Sequence, residues 1–230
     1  MEPIFSKADL HIHSKFSIDA FSPIRDIFKV AEERKLDIIA ITDHDNIKGH
    51  KEAEKVAQES KVKLIKGEEV GTKEGHLVAL FIENLIAPKR SIIDTIKEVH
   101  KQGGLAIIAH PANPFSRGVS FKTLYEIYKE VDGIELFNAS WAGFIYRKKA
   151  TKLNSEIFKL AAIGGSDAHI LSQIGMGYTL FKGKEPSDLY SAIKKRLTKA
   201  DGYFDLWAHL RLGINQPRRL LKKIWWDFKK

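Results

Sequence analysis

Eight short apolar or β-branched runs recur along the chain, at residues 8–13, 38–43, 62–66, 76–82, 105–109, 133–137, 160–164 and 178–181. Most are separated by segments whose apolar residues fall at helical spacing. In "SPIRDIFKVA", Ser22 and Pro23 read as an N-cap and first helical residue, and Ile24, Ile27, Phe28 and Ala31 follow at i, i+3, i+4 and i+7. Pro186 opens a similar segment, with Leu189, Ile193 and Leu197 each four residues apart. Strands alternating with helices imply parallel pairing and an α/β fold. About seven such units favour a closed barrel over an open sheet. No Pro/Gly/Ser-rich linker interrupts residues 1–200, which are expected to form one domain, with 201–230 as a C-terminal tail.

The polar residues at the ends of these runs are unusual. In "ADLHIHSKFSID" Asp9, His11 and His13 alternate with Ala8, Leu10 and Ile12, which on a strand places the three polar side chains on one face. Exposure to water explains such a face, and so does metal binding. Of the nine histidines, His11, His13, His44, His76, His110 and His169 each sit at or beside the end of an expected strand. Asp19, Glu69 and Asp167 accompany them. In "DLHIHS", "AITDHD", "IIAHP" and "IGGSDAH" the polar group follows its apolar run, whereas His76 precedes the run "HLVAL". The C-terminal strand ends of a parallel barrel converge on one rim, where active sites are built. Imidazoles and carboxylates crowded there repel or go unsatisfied unless cations hold them. His50, His100 and His209 lie in helix-like or tail segments without companion carboxylates and read as ordinary packing or surface residues.

These motifs, in this order, resemble the PHP family, the polymerase and histidinol phosphatase domain. The resemblance runs from residue 8 to about residue 198 and rests on the His-x-His opening, "ITDHD", the Gly-x-Glu of "GEE", "IIAHP", "GIELFN", and "GGSDAH" followed by "GMG". It implies a distorted seven-stranded β/α barrel of TIM-like form and a metal-dependent phosphoesterase. The spacing is most similar to the small phosphoesterases of the nucleoside-bisphosphate phosphatase and RNA 5′-end exonuclease branch. It also implies a partition of ligands. His11, His13, Glu69 and Asp167 match a first metal site. Glu69 bridges to a second, completed by His76 and His110. Asp19, His44 and His169 match a third. Glu69 rather than Glu68 is the ligand because Gly67 fixes the count. Glu69, Asp167 and His169 are the expected catalytic residues.

Two to three divalent ions are therefore expected, and an all-nitrogen-and-oxygen ligand set admits zinc, manganese or iron. A water shared by two such ions ionises near neutral pH and attacks phosphorus, while the cations neutralise charge as the P–O bond breaks. Lys15, Arg117 and Arg147 are the candidate phosphate donors. Asn138 is either a rim hydrogen-bonder or a turn residue. The expected substrate is a small phosphate ester or a nucleic-acid 5′ end. Histidinol phosphate is an alternative substrate, and a non-catalytic RNA-binding barrel, similar to a ribonuclease P protein subunit, is an alternative of another class.

Composition narrows the setting. With no cysteine there is neither a disulfide framework nor a thiolate ligand, which fits a reducing cytoplasm. The N-terminus lacks the pattern of a secretory signal, and no apolar run is long enough for a transmembrane segment. The net charge of +9 is uneven: "RRLLKKIWWDFKK" holds six Lys/Arg and one Asp. Leu220, Leu221, Ile224, Trp225 and Phe228 form an apolar stripe on a helix expected to start after Pro217, with Arg218, Arg219, Lys222, Lys223, Lys229 and Lys230 around it. Such a helix docks on the barrel by that stripe, contacts RNA, or lies on an anionic membrane surface.

Overall fold

A computed structural model describes residues 5–140 and 143–228. Among these the elements run β1 (Phe5–Ile12), α1 (Ile24–Glu33), β2 (Ile38–Ile41), α2 (His50–Gln58), β3 (Lys63–Gly71), β4 (His76–Leu80), α3 (Ile92–Lys101), β5 (Leu105–Ile108), α4 (Phe121–Ile127), β6 (Gly133–Asn138), α5 (Gly143–Leu153), β7 (Ala161–Gly165), β8 (Gly177–Lys182), α6 (Pro186–Lys194), β9 (Lys199–Gly202) and α7 (Leu206–Phe228). The strands form one sheet in the order β7-β6-β5-β4-β3-β2-β1-β8-β9. Its two flanks meet. Ile12 bridges Ala168 just beyond β7, the His13 N–H donates to the Ala168 carbonyl at 2.9 Å, and the Gly164 N–H donates to Thr179 Oγ1 of β8 at 2.9 Å. The result is the distorted, nearly closed β/α barrel expected. Gly164 makes the seam close, since a Cβ there would sit 2.1 Å from the Tyr178 carbonyl oxygen.

Uniformly parallel pairing does not hold. β1, β2 and β3 are parallel, as are β5, β6 and β7, but β4 runs antiparallel to both its neighbours, and β8 runs antiparallel to β1 and β9. The segment 72–75 between β3 and β4 is far too short for a crossover and makes a hairpin instead. This reversal accounts for His76. Its strand enters the rim where the others leave it, and His76 pairs with Gly71, the last residue of β3.

Nor does β1 keep one alternation. Its register against β2 shifts between Asp9 and Ile12. Ala8 and Leu10 pack in the interior cluster with Ile38, Val78 and Ile107, whereas Ile12 packs outside with Ile24, Ile27 and Phe28 of α1. A bulge of this kind re-aims side chains. It turns the Asp9 side chain away from those of His11 and His13, and the Asp9 carboxylate accepts backbone N–H groups, from Ser166 at 2.9 Å, Gly175 at 2.7 Å and His11 at 3.4 Å.

The helices bury the faces their sequences mark. Ile24, Ile27, Phe28 and Ala31 of α1 are buried, each large side chain contributing roughly 1.5–3 kcal/mol. Pro23, not Ser22, holds the N-cap position, without a capping side chain, because the Ser22 carbonyl is turned to accept the Lys15 N–H. In α6, Leu189 and Ile193 are buried but Leu197 lies beyond the helix, which ends as Arg196 takes a φ of +59°. β9 carries the sheet through the expected boundary at residue 200. The tail helix begins well before Pro217, because Asp205 Oδ1 accepts the N–H groups of Trp207 at 2.8 Å and Ala208 at 3.2 Å. Pro217 lies inside the helix and forgoes one backbone bond. The side chains of Lys223, Ile224, Trp225 and Phe228, with Lys229 and Lys230, lie outside the described set.

Candidate metal centre

Glu69 is the hub of the rim. Its Oε2 lies 3.2 Å from His11 Nε2, 3.2 Å from His13 Nε2 and 3.0 Å from His44 Nδ1. Its Oε1 lies 2.8 Å from His76 Nδ1 and 2.9 Å from His110 Nε2. Asp167 Oδ1 is 3.3 Å from His13 Nε2 and 3.6 Å from both His11 Nε2 and His169 Nδ1. Asp19 Oδ2 is 3.1 Å from His169 Nε2 and 3.7 Å from His44 Nε2. All nine candidate ligands therefore meet in one cluster. Three groups have ligand atoms within 4.8 Å of one another: His11, His13, Glu69 and Asp167; His13, Asp19, His44 and His169; and His44, Glu69 and His76. The first coincides with the expected first site. The second adds His13 to the expected third, and the last takes His44 where His110 was expected.

The donor atoms fit a cation. His11 Nε2, His13 Nε2 and Glu69 Oε2 are buried without a hydrogen-bond partner. Glu69 Oε2 lies 3.2 Å from each Nε2 without the alignment of a hydrogen bond, and with Asp167 their ligand atoms fall within 4.8 Å of one another. Leaving each unpaired costs roughly 1–3 kcal/mol, which a divalent ion among them would remove. The tautomers agree. The other His11 nitrogen, Nδ1, lies 2.8 Å from Glu135 Oε1, and His169 Nδ1 lies 2.9 Å from the Asp167 carbonyl oxygen. Those oxygens accept, so the protons sit on Nδ1 and each Nε2 is free to ligate. His110 and Asp167 hold positive φ values of +27° and +53°, strain of the kind that collects at functional sites.

Charge is divided sharply across the cluster. Burial penalises the His11 imidazolium, but Glu135, Glu69 and Asp167 outweigh it and hold its pKa well above the usual value. Burial likewise opposes a charged His13, and the adjacent Asp167 and Glu69 carboxylates carry it up to about 9. His44 is driven down by burial to about 3. Despite burial, the histidines around Glu69, Asp19 and Asp167 hold all three carboxyls well below the ordinary range. Without a cation the carboxylates are thus ionised, His44 is neutral, and His11 and His13 are held as imidazoliums whose Nε2 protons a divalent ion would displace.

Several residues in the site were not singled out in the sequence. Glu135 supports two ligands at once, pairing with His11 Nδ1 and accepting the His110 N–H at 2.7 Å. Asn138 realises both roles considered for it: Nδ2 donates to Glu135 Oε2 at 2.9 Å, and Oδ1 accepts the Ser140 N–H at 2.9 Å. Asp43 accepts the Ser14 N–H at 2.6 Å and its hydroxyl at 2.7 Å, fixing the chain after His13. Gly165 is required because a Cβ there would fall 2.7 Å from His11 Cβ and 2.8 Å from Glu135 Oε1.

Of the three candidate phosphate cations, Lys15 and Arg117 are engaged elsewhere and Arg147 lies beside the cluster. Lys15 pairs with Glu52, Arg117 donates to the Thr72 carbonyl, and Arg147 lies over the Phe137 ring while lining a small pocket with His110 and Asn138. Among the described residues, Arg219 of α7 touches a candidate ligand, 3.0 Å from Asp19 Oδ2. His50, His100 and His209 stand apart, bonded to the Gly67 carbonyl, Asp132 and the Ala139 carbonyl.

A barrel whose rim converges imidazoles and carboxylates around unpartnered buried donors defines a class of proteins built to hold divalent cations there. The chain belongs to the PHP domain family, whose model matches residues 9–209. An uncharacterized protein of Methanocaldococcus jannaschii is 36% identical over 143 residues, which span 58% of this chain and 82% of that protein. A 5'-3' exoribonuclease of Haemophilus influenzae is 25% identical over 227 residues, spanning 97% of this chain and 75% of the enzyme. Among solved structures, a two-domain protein of Bacteroides vulgatus containing a predicted PHP-like metal-dependent phosphoesterase superposes with a TM-score of 0.73 at 23% identity. That match covers 87% of this chain and 66% of the other.

Proposed function

We propose that this protein is a metal-dependent phosphoesterase that hydrolyses a nucleotide, a nucleoside bisphosphate or the 5′ end of a short oligonucleotide. The observation that carries the reading is the set of unpartnered buried atoms, His11 Nε2, His13 Nε2 and Glu69 Oε2, converging with Asp167. His11, His13, Asp19, His44, Glu69, His76, His110, Asp167 and His169 would hold two to three ions of zinc, manganese or iron. Bound there, such ions supply Lewis acidity toward phosphoryl oxygens and a water acidic enough to ionise near neutral pH. The chain's own residues prepare the site. Glu69 presents both carboxylate oxygens to different imidazoles and so suits a shared position. Glu135 fixes the His11 tautomer, and Asp167 with His169 closes the opposite side. Of the candidate phosphate cations, Arg147 shares a pocket with His110 and takes that role in this reading. Similarity to the H. influenzae exoribonuclease along nearly the whole chain supports a nucleic-acid-derived substrate, and the cysteine-free composition suits the cytoplasm.

A screen of phosphomonoesters, histidinol phosphate, nucleoside bisphosphates and short RNA with manganese-loaded protein tests this. Release of phosphate or nucleotide is expected, with nucleoside bisphosphates or RNA ends preferred. Binding of RNA by protein that takes up no stoichiometric metal would favour the non-catalytic barrel instead.

A further inference from the structure

α7 turns its polar face inward. Ala208, Leu212, Asn215, Arg219 and Lys222 recur every three or four residues along its less exposed side. Arg219 Nε donates to the Asp19 carbonyl at 2.7 Å, and Lys222 Nζ donates to the carbonyls of Lys15 at 2.8 Å and Ser17 at 2.7 Å. The opposite side carries Trp207, Leu210, Ile214 and Leu221, which are 72%, 49%, 78% and 66% exposed. They fall at i, i+3, i+7 and i+14, one line along a helix, and the sequence continues the period at Trp225 and Phe228. Arg211 and Arg218, both exposed, border the line. Docking on the barrel by the apolar stripe is therefore not what the described residues do: Leu220 and Leu221 face solvent.

A contiguous apolar stripe on a surface helix marks a contact with something else. We propose that this face of α7 docks on an anionic membrane surface, the helix lying in the plane of the interface with Trp207, Leu210, Ile214 and Leu221 at the headgroup–acyl boundary. Charge selects that occupant. Residues 206–230 hold seven Lys/Arg and one Asp; Arg219 and Lys222 are turned to the barrel, while Arg211 and Arg218 lie exposed beside the stripe, so anionic headgroups complement its described flanks. Pairing with a second copy would set two such cationic helices side by side, with Pro217 on each. RNA would match the charge and stack on Trp207 but gain little from Leu210, Ile214 and Leu221, the other three side chains of the described stripe. No described helix is long and apolar enough to cross a membrane, so attachment of this kind is peripheral. The inner bonds of Arg219 and Lys222 let the helix dock without leaving the barrel.

Cosedimentation of the full chain with mixed phosphatidylcholine–phosphatidylserine vesicles tests the proposal, with pure phosphatidylcholine vesicles and a single-stranded oligoribonucleotide as comparisons. Solution mass is measured alongside. Binding to the mixed vesicles is expected to exceed binding to the neutral ones by about tenfold or more. Replacing Leu210, Ile214 and Leu221 together by Ser should reduce it by at least about tenfold without lowering the melting temperature, since these side chains face water. Arg211→Gln with Arg218→Gln, which leaves the stripe intact, should weaken binding to the mixed vesicles alone. Failure of the wild-type chain to bind the mixed vesicles would overturn the proposal. So would a dimer dissolved by the triple substitution, or binding of the oligoribonucleotide that depends on the same three residues.

Discussion

Arg219 and Asp19 stand 200 residues apart in the sequence and are joined twice, by Arg219 Nε to the Asp19 carbonyl at 2.7 Å and by Arg219 Nη2 to its carboxylate at 3.0 Å. Asp19 lies in a stretch, residues 13–23, without helix or strand, so its position depends on such ties. Arg219→Ala is expected to lower metal affinity about 10–100-fold in the group formed by His13, Asp19, His44 and His169. The group formed by His11, His13, Glu69 and Asp167 should keep its metal. Arg219→Lys retains the charge but not the planar fork, and should fall between. Metal content followed through a chelator titration reads all three. A wild-type profile in Arg219→Ala would show that Asp19 does not need the helix.

Glu68 and Glu69, consecutive on β3, face opposite ways. Glu69 enters the histidine cluster, while Glu68 Oε2 accepts the Ile86 N–H at 2.9 Å and its Oε1 is unpartnered. Glu69→Gln should lose metal in two groups together, whereas Glu68→Gln should keep it. Metal analysis of both variants checks the register, and loss in Glu68→Gln would shift it by one residue.

Glu68 also carries a pH dependence. Burial pushes its carboxyl from 4.5 up to about 8. Between those values the unfolded chain has released this proton and the folded chain retains it, so this group makes folding less favourable as pH rises from 4.5 to about 8. Above about 8 the loss stops growing. Glu68→Gln removes the ionisation and keeps an oxygen for Ile86. Its melting temperature should therefore exceed the wild type's by several degrees near pH 8 and converge with it near pH 4. Parallel melting curves across that range would contradict the assignment.

Glu135→Ala removes the acceptor shared by His11 Nδ1, the His110 N–H and Asn138 Nδ2. Each buried donor left unpaired costs roughly 1–3 kcal/mol, so the metal-free variant should melt several degrees below the wild type. Metal affinity should fall about 10–100-fold as His11 loses its fixed tautomer. Calorimetry with and without metal separates the two effects. Unchanged metal affinity would mean that His11 is held by its strand alone.

The sequence carries this fold unevenly, for physical reasons. Runs such as "HLVAL" and "LAIIA" announce strands because burial on both faces needs continuous apolar residues, and the histidines stood out because they end such runs. Direction was less readable: nothing in "HLVAL" says that it runs backward, and only the short link 72–75 does. The bulge after Asp9 is invisible in a strictly alternating string, because it arises from pairing with β2. Glu135 passed as one polar residue in "GIELFN", since its importance lies in partners 124 and 25 positions away. For α7 the expected start after Pro217 is too late, since Asp205 caps the helix from farther back, and periodicity reveals an apolar stripe but not which way it faces.

The proposed phosphoesterase activity requires divalent ions at the rim cluster. Its most direct test is phosphate release by chelator-stripped protein titrated with manganese, against the substrate preferred in the screen. The stripped protein should show no turnover, and the rate should climb with added metal and saturate at about two to three equivalents per chain. Full turnover in stripped protein, or none at any metal loading on every ester tried, would contradict it.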